Sequence, residues 1–360
     1  MRIKMGKAFR FLASAFTIIA FAGFADSSKS PKTDCCKTSC PSIWPELRSD
    51  MGVSFSADFL YWQTSQTGLW YGQIADFHTS IPNPAGGNAN FFGDYKNPKY
   101  KFDPGMRASF GFRPHYDHWQ IDFVWTHMNS KALGFSDLPG AFQTTVIIPN
   151  PLFFVPQILN NNSVNVNATW RSNYNTIDLD INREIPFGKY FGLKGHFGLK
   201  NLWLNEKYHI FAIAAYSAED PPVTVVNSES NMAQKIWGIG PMVGLDSIWK
   251  VYKGFNLFGK AGCSLVWSHV KSTVLGQFFN GAVPVVVTDM TSNFHTVLPE
   301  IDLIVGGEYD FNFYENRYHM TLRAGWELVT LFDSNFLGAS YSSLGDFSMS
   351  GLTTGVVFDF

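Results

Sequence analysis

Residues 292–313 read SNFHTVLPEIDLIVGGEYDFNF. The odd positions hold Val297, Pro299, Ile301, Leu303, Val305, Tyr309, Phe311 and Phe313, and Glu300, Asp302, Glu308, Asp310 and Asn312 stand between them. Successive side chains of a strand point to opposite faces, so this stretch presents one apolar and one polar face. The same period recurs at 190–200, where Phe191, Leu193, Phe197 and Leu199 alternate with Lys194, His196 and Lys200. It recurs again at 118–127 (Trp119, Ile121, Phe123 and Trp125 against Gln120, Asp122 and Thr126) and through 317–333. After residue 25 no long helical period competes with it.

Working outward, the pattern predicts strands over 51–62, 102–114, 118–131, 168–185, 190–210, 232–249, 255–274, 292–313, 317–333 and 346–360. The connections between them hold 39, 3, 36, 4, 21, 5, 17, 3 and 12 residues, so long and short alternate without exception. An up-and-down barrel in an outer membrane has this property, with short periplasmic turns and long external loops. The expected fold is therefore all-β: a closed antiparallel up-and-down transmembrane β-barrel of about ten strands, or twelve if 63–101 holds a further hairpin. Trp62, Trp119, Trp125, Tyr190, Trp203, Tyr208, Trp237, Trp249, Trp267 and Tyr318 fall near strand ends, as interfacial girdles require.

A membrane barrel turns its apolar face to lipid and its polar face to the lumen. Strand phase then assigns Asp58, Arg107, Asp122, Asp178, Asp180, Lys194, Lys200, Lys260, Glu300, Asp302, Glu308, Asp310, Arg323 and Glu327 to the lumen. Adding Asp103, Asp246, Lys101 and Arg113 gives eleven acidic against seven basic groups, which favours cations weakly. Eight strands leave an interior just filled by side chains and 16–18 leave an open channel, so ten leave a narrow lumen. The 39- and 36-residue loops are expected to narrow it further.

Composition agrees with this reading. Of 360 residues only 16% are charged, below the roughly 25% of soluble proteins, while 16% are aromatic and the net charge is −2. Mean hydropathy is −0.04. These values argue against a disordered chain, a basic nucleic-acid binder and a bundle of membrane helices.

Residues 1–25 read as a secretory signal peptide, with Arg2, Lys4, Lys7 and Arg10 before an apolar run and small residues at two cleavage points, after Ala22 or Ala25. Cleavage after Ala25 removes four basic and no acidic residues, which takes the net charge from −2 to −6. Residues 26–50 form a periplasmic segment carrying Cys35, Cys36 and Cys40, and 51–360 form the barrel. Export permits disulfides, and adjacent cysteines bond each other poorly, so pairing with other envelope proteins is one reading of these thiols. Inert thiols and a metal site stay open, although no His or Cys pair follows at zinc spacing.

The chain ends GLTTGVVFDF, with Leu352, Val356, Phe358 and Phe360 on one face. A final aromatic after an alternating strand resembles the assembly signal of bacterial outer-membrane proteins, which implies the barrel-assembly machinery as a partner of Phe358 and Phe360. FSADFLYWQTSQTGLWYG (55–72), PGMRASFGFRPHYDHWQIDFVWTHMNS (104–130), NTIDLDINRE (175–184) and GIGPMVGLDSIWKVYKGFNLFGKAGCSLVWS (238–268) resemble the Legionella-type major outer membrane protein family, whose relatives include the MOMP-like proteins of chlamydia-related bacteria. The resemblance spans roughly residues 51–360 and rests on strand and turn patterns. It implies the bacterial cell outer membrane, surrounding lipid and lipopolysaccharide, and a porin-like role: passive diffusion of small hydrophilic solutes or ions. The cysteine segment lies outside that pattern and resembles disulfide-linked envelope complexes of chlamydial type. The alternative is a structural barrel or surface adhesin of little conductance, cross-linked through those cysteines.

No nucleophile elbow or phosphate-binding loop is present, so no enzyme and no cofactor are expected. The run His115 to His118 sits at a turn between strands and is read as turn polarity rather than a metal site. Asp178 with Asp180, Glu300 with Asp302 and Glu308 with Asp310 are carboxylate pairs on single strand faces. Such pairs can bind calcium or move protons, but rows of them along strands fit a polar lumen better.

Overall fold

The computed structural model describes residues 52–76, 92–114, 119–137, 145–149, 163–186, 190–216, 224–280, 283–313, 318–338 and 345–360. The signal peptide, Cys35, Cys36, Cys40 and the His115 to His118 run lie outside the described residues. Among the described residues every element is a strand: β1 Gly52–Gln66, β2 Gly72–Asp76, β3 Phe92–Lys96, β4 Phe102–Arg113, β5 Trp119–Asp137, β6 Thr145–Pro149, β7 Ser163–Pro186, β8 Phe191–Tyr216, β9 Thr224–Tyr252, β10 Phe255–Asn280, β11 Val283–Phe313, β12 Tyr318–Leu331 and β13 Phe347–Asp359.

Ten of these close into an antiparallel barrel in the order β1, β4, β5, β7, β8, β9, β10, β11, β12, β13, and β13 pairs back onto β1. The seam is continuous from Ser54↔Asp359 to Gln66↔Phe347. At its end Val53 N–H donates to Phe360 O at 3.2 Å and Phe360 N–H to Val53 O at 2.9 Å, so the last residue helps complete closure. Closure matters because a sheet edge in lipid would leave its N–H and C=O groups unpaired. The segment 63–101 does hold a hairpin, β2 with β3, but it does not enter the wall. It pairs with β6, which among the described residues pairs with the wall at Ile147↔Ser163 alone. The wall therefore stays at ten strands.

The outer face carries Phe55, Phe59, Met106, Phe110, Leu199, Leu245, Trp267, Leu303, Val305 and Trp326, all exposed. An apolar surface this extensive is stable only against lipid. It is bounded by outward-facing Tyr61, Trp125, Trp203, Trp237, Trp267 and Trp326 on one side, and by Trp119, Tyr190, Trp249, Tyr309 and Tyr318 on the other. Along β9, Trp237 and Trp249 stand 12 residues apart. That is about 40 Å of strand, or about 30 Å of height at a tilt near 40°, which matches a hydrocarbon core.

Three expected connections are shorter than the alternation implies, and one of them, at 132–167, yields 132–137 to β5 and 163–167 to β7. The 17-residue loop at 275–291 is largely strand: β10 and β11 pair as far as Asn280↔Val283, with a register shift at Gly276/Gln277. The 21-residue loop at 211–231 likewise shrinks between Tyr216 and Thr224. The reason is physical. Beyond the tryptophan girdle the outer face meets water, so Lys271, Asn293 and His295 point out while Val270, Val274 and Leu298 point in. The apolar phase inverts there, and a search for one constant phase ends the strand at the inversion. The wall is consequently uneven, 31 residues in β11 against 12 in β4.

Candidate functional site

Above the membrane level the lumen is filled by an apolar core, and below it by a polar chamber. The core contains Trp170, Leu204, Tyr208, Met232, Ile236, Val270, Leu298, Phe347 and Met349 from the wall. Two connections complete it from inside: Leu69 and Tyr71 after β1, and Phe336 and Leu337 after β12. A buried connection must satisfy its backbone polar groups. Tyr208 Oη donates to Leu69 O at 2.8 Å, Phe336 N–H donates to Gln234 Oε1 at 2.7 Å, and Ser272 Oγ donates to Phe336 O. Asn335 Nδ2 donates to Thr67 O at 2.7 Å, which ties the two connections together. The turn that sends the second one inward uses Asp333 at φ 51°, a left-handed conformation that Asp tolerates better than most residues. Thus the 39-residue connection does narrow the lumen, with the 12-residue connection as a partner, while most of the 36-residue connection lies outside the described residues. Within this plug the carboxylate of Glu206 accepts from Trp170 Nε1 at 3.2 Å, Gln66 Nε2 at 3.4 Å and Gln234 Nε2.

The chamber beneath has a volume of about 310 Å³. All fourteen side chains assigned to the lumen from strand phase lie on its wall: Asp58, Arg107, Asp122, Asp178, Asp180, Lys194, Lys200, Lys260, Glu300, Asp302, Glu308, Asp310, Arg323 and Glu327. Asp246 and Arg113 join them, with Glu184, Asp359, His196 and His319 in addition. Lys101 and Asp103 do not. They pair at 3.7 Å at the outer end of β4, where Asp103 also accepts the Lys131 N–H, so the phase was sound but the height was not. The chamber wall thus counts twelve carboxylates against six Lys and Arg side chains and two histidines.

These charges are tied in clusters that span strands. Arg107 grips Glu327 through two nitrogens, at 3.1 and 2.6 Å, and Arg323 grips Asp58 at 2.7 Å. Arg107 also lies 4.0 Å from Asp58 and 5.5 Å over the Trp62 ring. Trp62 Nε1 donates to Thr353 Oγ1 at 3.0 Å, and that hydroxyl donates to Glu327 Oε2 at 2.7 Å. This chain joins plug to chamber. Lys200 on β8 reaches Glu300 on β11 and stands 3.8 Å from Asp178 on β7, forming a strut across the lumen past β9 and β10. Lys194 and Lys260 flank Asp246 at 4.0 and 3.5 Å. Glycine makes room for one of these clusters: a Cβ on Gly355 would stand 1.8 Å from Asp58 Oδ1, so only Gly lets this carboxylate lie flat against β13. Among the described residues no group of three or more His, Cys, Asp or Glu is arranged to hold a metal ion. Cys263, far from the N-terminal cysteines in sequence, is a free, partly buried thiol on β10.

Sequence reasoning missed the plug. The signal was present: Asp333 and Asn335 are turn residues, and Phe336 and Leu337 form an apolar pair inside a connection, where exposure to water would be unfavourable. Glu184 and Asp359 were also legible: Glu184 shares the phase of Asp178 and Asp180, and Asp359 stands on the face opposite the apolar row Leu352, Val356, Phe358 and Phe360.

A closed ten-stranded wall, an aromatic-bounded apolar belt and a polar interior define an outer-membrane β-barrel of the bacterial envelope. The pattern of the family described as Legionella pneumophila major outer membrane protein precursor matches residues 45–360, and the chain belongs to that family. Similar solved structures include the outer membrane protease OmpT from Escherichia coli, at 10% identity over 89% of this chain and 99% of that one with a TM-score of 0.37. A Pseudomonas aeruginosa FadL homologue aligns at 6% identity over 86% and 90% of the two chains, TM-score 0.26. The toluene transporter TodX of P. putida does so at 8% over 86% and 89%, TM-score 0.22. No curated protein matches the sequence.

Proposed function

We propose that this barrel is a narrow passage for small hydrophilic solutes and ions with a weak preference for cations, stoppered at its outer half in the conformation described. The observation that carries the reading is the charge of the chamber: twelve carboxylates against six Lys and Arg. In a confined space with low-dielectric walls an excess of one sign concentrates counter-ions. Asp178 Oδ1 and Glu300 Oε2 are buried without a protein hydrogen-bond partner, which suits a lumen visited by water and cations. Most other carboxylates are held by Arg, Lys, amide or hydroxyl groups, so their role here is to set the field and not to perform chemistry.

The apolar plug favours a second reading, a structural barrel of little conductance joined to other envelope proteins through Cys35, Cys36 or Cys40. Reversal potentials in a planar bilayer under a potassium chloride gradient distinguish the two. The first reading expects a cation-selective sign that moves towards anions in the variant Glu300→Gln, Asp302→Asn, Glu308→Gln, Asp310→Asn. Silent bilayers with correctly folded protein support the second reading, and an unchanged reversal potential in the quadruple variant removes the lumen assignment of β11.

A further inference from the structure

From the girdle outward the outer face of the tall side is organised in rows fixed by strand register. One row reads Trp125, Ile177, Asn201, Ile239, Trp267, Val297, and the next His127, Asn175, Trp203, Trp237, His269, His295. Above these stand Asn129, Asn173, Asn205, Lys235, Lys271, Asn293, and then Lys131, Arg171, Lys207, Ala233, Thr273, Thr291. Lys131, Arg171, Lys207, Lys235 and Lys271 are all exposed. Lys131 is directly opposite Arg171, Arg171 opposite Lys207, and Lys235 opposite Lys271. Lys207 and Lys235 are diagonal neighbours, because Lys207 faces Ala233. The five form one unbroken arc over five adjacent strands.

Like charges directly opposite one another on a sheet are destabilising. Among the described residues no carboxylate lies within ion-pair distance of any of the five. Asp103 accepts the Lys131 backbone N–H but pairs with Lys101. Glu229, six residues beyond Lys235, is held by His209 and Asn231 at 2.9 Å each. The arc thus keeps its repulsion unless an anion from outside the chain sits on it. Its position identifies the anion. Lys235 is two residues beyond Trp237, and Lys271 and Lys207 are four beyond Trp267 and Trp203. With about 3.4 Å of rise per residue and a tilted strand, their amines begin about 5–10 Å above the tryptophans, at headgroup depth. The start of β1, the end of β13 and the Lys253–Gly254 turn between β9 and β10 lie at the opposite rim, which in outer-membrane barrels faces the periplasm. The arc therefore faces the outer leaflet.

We infer that Lys131, Arg171, Lys207, Lys235 and Lys271 form a binding surface for the phosphorylated headgroup of an outer-leaflet glycolipid, whose acyl chains pack on the tryptophan girdle directly beneath. Aromatic rings at the interface and cations just above them match the two halves of such a lipid.

The test uses the refolded mature chain in phosphatidylcholine vesicles doped with bisphosphorylated lipid A, with its dephosphorylated form as comparison and heparin as a soluble polyanion. Two variants accompany the parent: Lys207→Gln, Lys235→Gln, Lys271→Gln, and the same three positions changed to Arg. The gel shift on heating verifies that each is folded. The glutamine variant is expected to lose about a hundredfold in affinity for bisphosphorylated lipid A, roughly fivefold per lysine, and the arginine variant to bind as the parent does. Parent binding should fall with salt and be weak towards the dephosphorylated lipid. Equal binding by parent and glutamine variant, equal affinity for the two lipids, or tighter binding of heparin than of lipid A would each overturn the inference.

Discussion

Replacing Lys200 by Met removes the cation of the strut across the lumen. Its side chain is 7% exposed and Glu300 only 1%, so little water reaches either group. Glu300 would be left without its counter-ion, and Asp178, 3.8 Å from the lost amine, would face Glu300 with nothing between them. Breaking one partner of a buried pair costs about 3–5 kcal/mol, chiefly as the penalty of the stranded charge. At roughly 2 °C per kcal/mol for a chain of this size, the melting temperature should fall by about 6–10 °C. The assay is the temperature at which the heat-resistant, faster-migrating band is lost on a denaturing gel, checked by circular dichroism in detergent. The triple variant Lys200→Met, Glu300→Gln, Asp178→Asn removes the stranded charges and should regain most of the loss, a coupling that neighbouring groups show and distant ones do not. A single variant melting within about 1 °C of the parent, or a triple variant less stable than the single one, would refute the strut.

Three further outcomes follow from the same geometry. Deleting Phe360 removes the backbone pair with Val53 and the end of the lipid-facing row Leu352, Val356, Phe358, so outer-membrane assembly should drop while export across the inner membrane is unchanged; pulse-labelled cell fractions measure both. Non-reducing gels of native envelopes should show disulfide-linked species that disappear when Cys35, Cys36 and Cys40 are changed to Ser, and monomer alone under oxidising conditions would leave these thiols without a cross-linking role. Changing Glu206 to Leu leaves Gln66, Trp170 and Gln234 without their acceptor, so the variant should be destabilised by about 1–3 kcal/mol, whereas Glu206→Gln, which keeps an acceptor oxygen, should lose less. Denaturant unfolding of the two variants measures the difference.

The fold was legible because a membrane imposes one rule on every strand. Phe55, Phe59 and Tyr61 must face lipid and Ser56, Asp58 and Leu60 the interior, so phase alone orients each segment between the girdles. For the same reason all fourteen assigned residues reach the chamber wall. Outside the girdles that rule lapses. At Lys271 against Val270 the outer face becomes polar and the inner one apolar, and the continued strands at 275–291 and 211–231 went unseen. Phase also says nothing about height, which is why Asp103 was placed in the lumen although it sits at the outer rim. The apolar pair Phe336 and Leu337 marks a buried connection but not where it is buried: Leu69 and Phe336 fold into the lumen because Gln234, Ser272 and Tyr208, distant in sequence, satisfy their connections.

In the proposed passage a cation-preferring chamber is stoppered by Leu69, Tyr71, Phe336 and Leu337. Single-channel recording of the parent beside the variant Phe336→Gly, Leu337→Gly tests it most directly. Small or rare openings are expected for the parent, larger and longer ones for the variant, and a cation-selective reversal potential in both. A parent conductance like that of an open 16- to 18-stranded porin, or a folded variant as silent as the parent, would contradict it.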